Sequence, residues 1–113
     1  MPASPPLSPA RKGAGLVFIS GQLPRKDGLM ISGDIRAQTE QVIDNLEARL
    51  ASEGLGLGDV IKTTVWLTEK SLAADFNAVY AARFPEPYPA RSTVISGLIA
   101  DADIEMEAVA VAR

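Results

Sequence analysis

The chain has 113 residues, 47% hydrophobic and 22% charged, a globular composition long enough to bury an ordinary core without disulfide or metal staples. With 11 basic and 14 acidic side chains it carries a formal charge of −3, and its lysines and arginines are scattered, which excludes the electrostatic footprint of a nucleic-acid binder. It has no cysteine and no histidine, so thiol nucleophiles, Ser-His triads and imidazole or thiolate metal sites are excluded, and no metal site is expected.

Residues 1–13 are rich in Pro, Ser and basic groups, which predicts an extended N-terminal arm on a single domain spanning 1–113. Met1-Pro2-Ala3-Ser4-Pro5-Pro6 lacks the charged-then-apolar pattern of a signal peptide, and no apolar run reaches membrane-spanning length. The expectation is a cytoplasmic protein with no membrane partner. Leu16-Val17-Phe18-Ile19-Ser20 reads as a strand, Asp27-Gly28 as a tight turn, and Leu29-Met30-Ile31 as the returning arm of a hairpin. From about Asp34 to Glu53, Ile35, Val42, Ile43, Leu46 and Leu50 recur at helical spacing, and Gly54 stands where a left-handed cap ends the helix.

The stretch from Asp59 to Thr68 is dense in β-branched residues and predicts a strand. A second helix carries Leu72, Phe76, Val79, Tyr80 and Arg83 on one stripe and must stop at Phe84, because Pro85 disfavours helical geometry before it. Strands at Ser92–Ser96 and Ile104–Ala112 complete the order β-β-α-β-α-β-β, an α+β fold with one sheet and both helices on one face. Alternation along the last strand puts Ile104, Met106, Ala108 and Ala110 on one face, and Glu105, Glu107, Val109 and Val111 on the other. An apolar second face on a sheet covered on one side predicts a homo-oligomer.

For chemistry, Arg91 in Pro89-Ala90-Arg91-Ser92-Thr93 and Glu105 in Ile104-Glu105-Met106-Glu107-Ala108 form the leading pair. A guanidinium grips a carboxylate through two parallel hydrogen bonds, and a partly desolvated glutamate can orient or deprotonate a water. The bland readings are a surface arginine in an ion pair and a solvated strand glutamate. Ser20-Gly21 alone would be an ordinary strand end, Asn77 a helix-surface amide, and Trp66 and Tyr80 packing or interface residues.

Ile19-Ser20-Gly21-Gln22-Leu23-Pro24, Asp59 through Leu67, Phe76-Asn77-Ala78-Val79-Tyr80, Pro89-Ala90-Arg91-Ser92 and Ile104 through Ala110 together resemble the reactive intermediate deaminase family, also called RidA or YjgF. The resemblance runs in order through residues 16–112. It implies a chorismate-mutase-like fold, a homotrimer with clefts between subunits, and no cofactor. It further implies hydrolysis of enamine and imine intermediates, such as 2-aminoacrylate and 2-iminobutanoate, to 2-oxo acids and ammonia. Arg91 falls on the family's carboxylate-binding arginine and Glu105 on its water-holding glutamate, while Ser20, Gly21, Asn77 and Thr93 match cleft positions. Where relatives carry a tyrosine in a Pro-Tyr-Ser setting, this chain has Pro6-Leu7-Ser8-Pro9; Thr93 stands where they often have cysteine. A second reading is a non-catalytic small-carboxylate-binding or chaperone-like trimer. A third, nucleolytic or translation-inhibiting activity, is weakest for an acidic chain.

Overall fold

A computed structural model describes residues 4–113; Met1–Ala3, part of the expected arm and of the stretch inspected for a leader, lie outside the described residues. The chain runs β1 (Ala10–Gly13), β2 (Leu16–Gln22), β3 (Arg25–Lys26), β4 (Leu29–Met30), α1 (Ile35–Ser52), β5 (Val60–Leu67), α2 (Ala73–Arg83), β6 (Ala90–Ile95) and β7 (Ile104–Val111). Five strands form one sheet in the order β1-β2-β7-β5-β6, antiparallel except for β5 and β6, which α2 connects in parallel.

The expected order β-β-α-β-α-β-β holds for this sheet, and the expected strand at Leu16–Ser20 is its β2, but that strand's hairpin partner is not the expected one. Part of the arm is strand: Ala10 pairs with Ile19 and Gly13 with Leu16. The loop between β1 and β2 is Ala14-Gly15, both at positive φ (53° and 78°), as a two-residue loop joining right-twisted strands requires. Alanine is no turn former, so this hairpin is silent in the sequence. Asp27-Gly28, at φ 54° and 82°, makes the same kind of turn, yet it joins only β3 to β4 in a separate ribbon. Leu29 is 74% exposed and does not return to β2. Asn45 ties the ribbon to α1 instead, donating to the carbonyls of Leu23 and Arg25.

α1 begins where Asp34 accepts from the Ala37 amide, the side-chain cap that satisfies an otherwise orphaned donor. It ends at Gly54 (φ 74°), where the Leu55 amide donates back to the Leu50 carbonyl. Ile35, Val42, Ile43, Leu46 and Leu50 are all buried, each worth roughly 1.5–3 kcal/mol of transfer free energy. They pack with Phe76, Val79 and Tyr80 of α2 onto Val17, Ile19, Val65, Leu67 and the inward set of β7, namely Ile104, Met106, Ala108 and Ala110. The opposite sheet face has no helix. It presents Glu105, Glu107, Val109 and Val111 from β7, with Phe18 and Ile61 roughly half exposed beside them.

Candidate active site

After α2, Phe84 turns extended and Pro85, Pro87 and Pro89 carry the chain to β6, which lies at the sheet edge with every residue exposed. Parallel pairing sets Arg91 beside Thr63. Thr63 points into the core, so Arg91 projects on the helix side. There its guanidinium carbon lies 4.8 Å from the ring centroid of Tyr80 and 5.2 Å from that of Phe76. The rings are themselves held: Tyr80 stacks on Phe84 at 4.3 Å, and its hydroxyl shares a buried 2.8 Å hydrogen bond with Thr63 Oγ1. Burial raises the Tyr80 pKa above the ordinary phenol value, against the lowering pull of that hydrogen bond and of the Arg91 charge.

Among the described residues, Arg91 has no hydrogen-bond or ion-pair partner. Arg36, Arg83 and Arg113, in contrast, are all paired with carboxylates. Asn77, Tyr80, Ala81, Tyr88, Pro89 and Arg91 line an open cavity of about 260 Å³. Thr93 follows Arg91 on the same side of β6, beside Val65, and is exposed.

Glu105 is positioned by the centre of the sheet. β7 pairs it with Trp66 and pairs Glu107 with Thr64, on the face away from the helices. On its other flank the β2–β7 register slips between Ile19 and Gln22, so Ser20 and Gly21 form an irregularity opposite Glu107. A Cβ at Gly21 would meet Glu105 Oε2, the free end of a flexible side chain that would have to swing aside. Glu105 also borders an open depression of about 200 Å³ with Trp66, Ser96, Gly97, Leu98 and Ile99. Desolvation, with the charge of Glu107 added, raises its pKa above the ordinary glutamate value. Ser20 donates its hydroxyl to the Ser8 carbonyl at 2.6 Å and its amide to the Pro9 carbonyl at 3.0 Å, pinning the N-terminal segment across β2. Ser8, Arg11, Phe18, Ser20, Glu107 and Val109 border a neighbouring depression of about 420 Å³.

The site residues expected from sequence therefore fall into two groups. Arg91, Asn77 and Thr93 lie on the side of β6 and α2, whereas Ser20, Gly21 and Glu105 lie on the open face of β2 and β7. One chain does not bring Arg91 and Glu105 together, because strand alternation points them to opposite faces of the sheet. Sequence reasoning left Phe76, Tyr80 and Tyr88 out of the site. The recurrence of aromatics at 76, 80 and 84 was visible, but its meeting with Arg91 depends on the β5–β6 pairing.

The family described as Endoribonuclease L-PSP matches residues 1–112. A RutC family protein of Pyrococcus horikoshii is 45% identical over 108 residues, which make up 93% of this chain and 86% of that protein. The chloroplastic Reactive Intermediate Deaminase A of Arabidopsis thaliana is 39% identical over 108 residues, 93% of this chain and 58% of that protein. The crystal structure of RidA from an Antarctic Psychrobacter superposes with a TM-score of 0.90 at 36% identity, covering 97% of this chain and 91% of that one. The two helices and the mixed sheet thus form the chorismate-mutase-like α+β fold of these relatives.

Proposed function

The chain belongs to the endoribonuclease L-PSP family, which includes the RidA and YjgF proteins, and on that premise we propose that it hydrolyses small 2-imino acids to 2-oxo acids and ammonia. The observation that carries this reading is the Arg91 guanidinium, seated on aromatic rings with its donor edge unpaired. A planar fork of this kind matches a planar carboxylate in a way that a point charge does not.

With the substrate carboxylate on Arg91, the adjacent imine carbon is open to a water oriented by Glu105. The water oxygen bonds to that carbon and gives up a proton to the carboxylate, forming a carbinolamine. Glu105, now protonated, delivers the proton to nitrogen; as the C–N bond breaks and ammonia leaves, the carbinolamine hydroxyl gives its proton back to the Glu105 carboxylate and the C=O bond of the 2-oxo acid forms. A carboxylate whose pKa is raised by desolvation and by the Glu107 charge holds an accepted proton more tightly than an ordinary glutamate, which favours it as the acceptor in this shuttle. The Enamine tautomer, such as 2-aminoacrylate, enters by protonation at its terminal carbon. This chemistry calls for no cofactor.

Because Arg91 and Glu105 point to opposite faces of one chain, the complete site is proposed to form between chains, in a homotrimer with Ser20, Gly21, Asn77 and Thr93 lining the shared cleft. Phe18, Ile61 and Val111 on the helix-free face supply apolar surface for that assembly. The cytoplasm is proposed as its location; among the described residues no helix is long and apolar enough to cross a membrane. The endoribonuclease of the family description is not the activity favoured here, since a net charge of −3 with Glu105 and Glu107 on the open face offers little to a phosphate backbone. Leu7, an exposed aliphatic residue where relatives place a phenol, favours as second reading a trimer that binds small carboxylates without turning them over.

The test is a coupled assay in which a pyridoxal-phosphate dehydratase generates 2-iminobutanoate and 2-oxobutanoate is followed. The protein should accelerate its appearance; binding of 2-oxobutanoate without acceleration would select the second reading. Mixing Arg91→Ala and Glu105→Gln chains, each inactive alone, should restore part of the activity. No recovery after confirmed subunit exchange would place both residues in one chain's site.

A further inference from the structure

Arg91 sits at the end of an exposed edge strand, where an arginine ordinarily loses about 2 kcal/mol of rotamer freedom when it is fixed. A binding fork in that position needs something to hold it that does not consume its donors. A carboxylate partner would fail, because it would occupy the edge that the substrate has to reach. The structure instead sets two aromatic faces beneath the guanidinium, at 4.8 and 5.2 Å, and leaves its hydrogen-bonding edge free among the described residues.

We propose that Phe76 and Tyr80 are positioning residues that hold Arg91 by the face of its guanidinium, so that the fork is aimed before a carboxylate arrives. The inference rests on the reading of Arg91 as the carboxylate clamp and assigns the elements that preorganise it. Ring quadrupoles attract the cation's face while its N–H groups stay in plane and unspent. The seat is rigid because the rings recur along α2: Phe76 and Tyr80 lie 5.6 Å apart at 54°, and Tyr80 continues onto Phe84. The Tyr80 hydroxyl is locked to Thr63, the β5 residue that also pairs with Arg91, so seat and clamp share one anchor. Preorganisation of this kind raises affinity by removing the ordering cost from the binding step.

The experiment compares wild type, Tyr80→Phe, Tyr80→Leu and Phe76→Leu, with Arg91→Lys used to assign the Arg91 side-chain signal. Two readouts are taken: the Arg91 Nε–H resonance by NMR, and affinity for 2-oxobutanoate by calorimetry. Wild type and Tyr80→Phe should both show an Nε–H signal displaced by ring currents, with Tyr80→Phe, which keeps the ring but loses the tie to Thr63, binding only a few-fold more weakly. Tyr80→Leu, left with only the Phe76 ring, should lose much of the displacement and bind about 10-fold more weakly while still melting cooperatively. If Tyr80→Leu fails to fold, Phe76→Leu carries the same expectation in milder form. An Arg91 signal at the position of a free arginine in wild type would overturn the proposal. So would a folded Tyr80→Leu with wild-type affinity, or a Tyr80→Phe as damaged as Tyr80→Leu. Wild type with the displaced signal but no affinity for 2-oxobutanoate would support the seat and sink the deaminase reading, so the two failures are distinguishable.

Discussion

The outer surface of the two helices and the sheet handle charge in opposite ways. On the helices, Arg83 of α2 is 23% exposed and meets three carboxylates of α1, at 2.6 Å from Glu40, 2.8 Å from Asp44 and 3.4 Å from Glu47. Desolvation works to lower its pKa, but the hydrogen bonds it donates to Glu40 and Asp44, with their charges, outweigh this and raise it. Every charge in that cluster is answered. On the sheet, among the described residues, Arg91 of edge strand β6 rests on carbon rings with no anion, and Glu105 of central strand β7 lies beside Glu107 with no cation, its charged form disfavoured. The same two residue types therefore serve as structural ties in one region and as unsatisfied groups in the other. Only an unsatisfied group has binding capacity left for a substrate, which is why the sheet, not the helix surface, is read as the site.

The largest effect should follow from removing the unsatisfied carboxylate. Glu105→Gln keeps size and hydrogen-bonding reach but cannot shuttle a proton, so turnover of 2-iminobutanoate should fall by roughly 10²-fold or more, with 2-oxobutanoate affinity largely kept. Glu107→Gln, on the same strand face, should change turnover much less. Equal and small effects in both would make Glu105 a structural carboxylate. Next in size is Arg91→Lys, which keeps the charge and loses the fork and the stacked face; small 2-oxo acids should bind on the order of 10-fold more weakly by calorimetry, with the melting transition preserved. Unchanged affinity would mean that the carboxylate binds elsewhere.

Smaller effects concern stability, and here the two regions should respond with opposite sign. The Glu105 pKa is raised in the folded protein, so folding is relatively favoured below the ordinary glutamate range and loses that contribution as pH rises through the folded pKa. Glu105→Gln removes the ionisation and should make the protein more resistant to urea than wild type at neutral pH, with the difference fading under acid. Wild type more stable than the mutant at neutral pH would show that Glu105 is satisfied by a partner. Arg83→Met should instead lower stability, by about 1 kcal/mol or less since its partners are half exposed, and leave turnover untouched. A loss of turnover with Arg83→Met would erase the distinction between the two regions.

Much of this protein was legible in its residues alone. The buried stripe of α1, the stop of α2 before Pro85 and the alternation of Ile104 through Val111 follow from local periodicity and backbone sterics, which act over a few residues and leave their mark in sequence. Absence of histidine and cysteine left carboxylates, hydroxyls, arginine, lysine and backbone amides to carry any chemistry, and only the matched family motifs pointed to Arg91 and Glu105 among them. The ordered motifs pointed to the family that the comparison with relatives then established.

What tertiary structure alone decided depends on which distant segments pair. The Ala14-Gly15 hairpin made a strand of Ala10–Gly13 because β2 offered an open edge, although Pro9 and two basic residues argue locally against a strand. Whether Arg91 would be a solvated edge residue or one seated on aromatic rings turned on the parallel register that sets it beside Thr63 and over Tyr80. That Arg91 and Glu105 face away from each other followed from two strand pairings through β5 and the two-residue alternation of its side chains. Periodicity in a sequence reports which side of its own element a residue takes, but not which other element will meet it there, because long-range pairing is selected by the packing of the whole sheet and its helices.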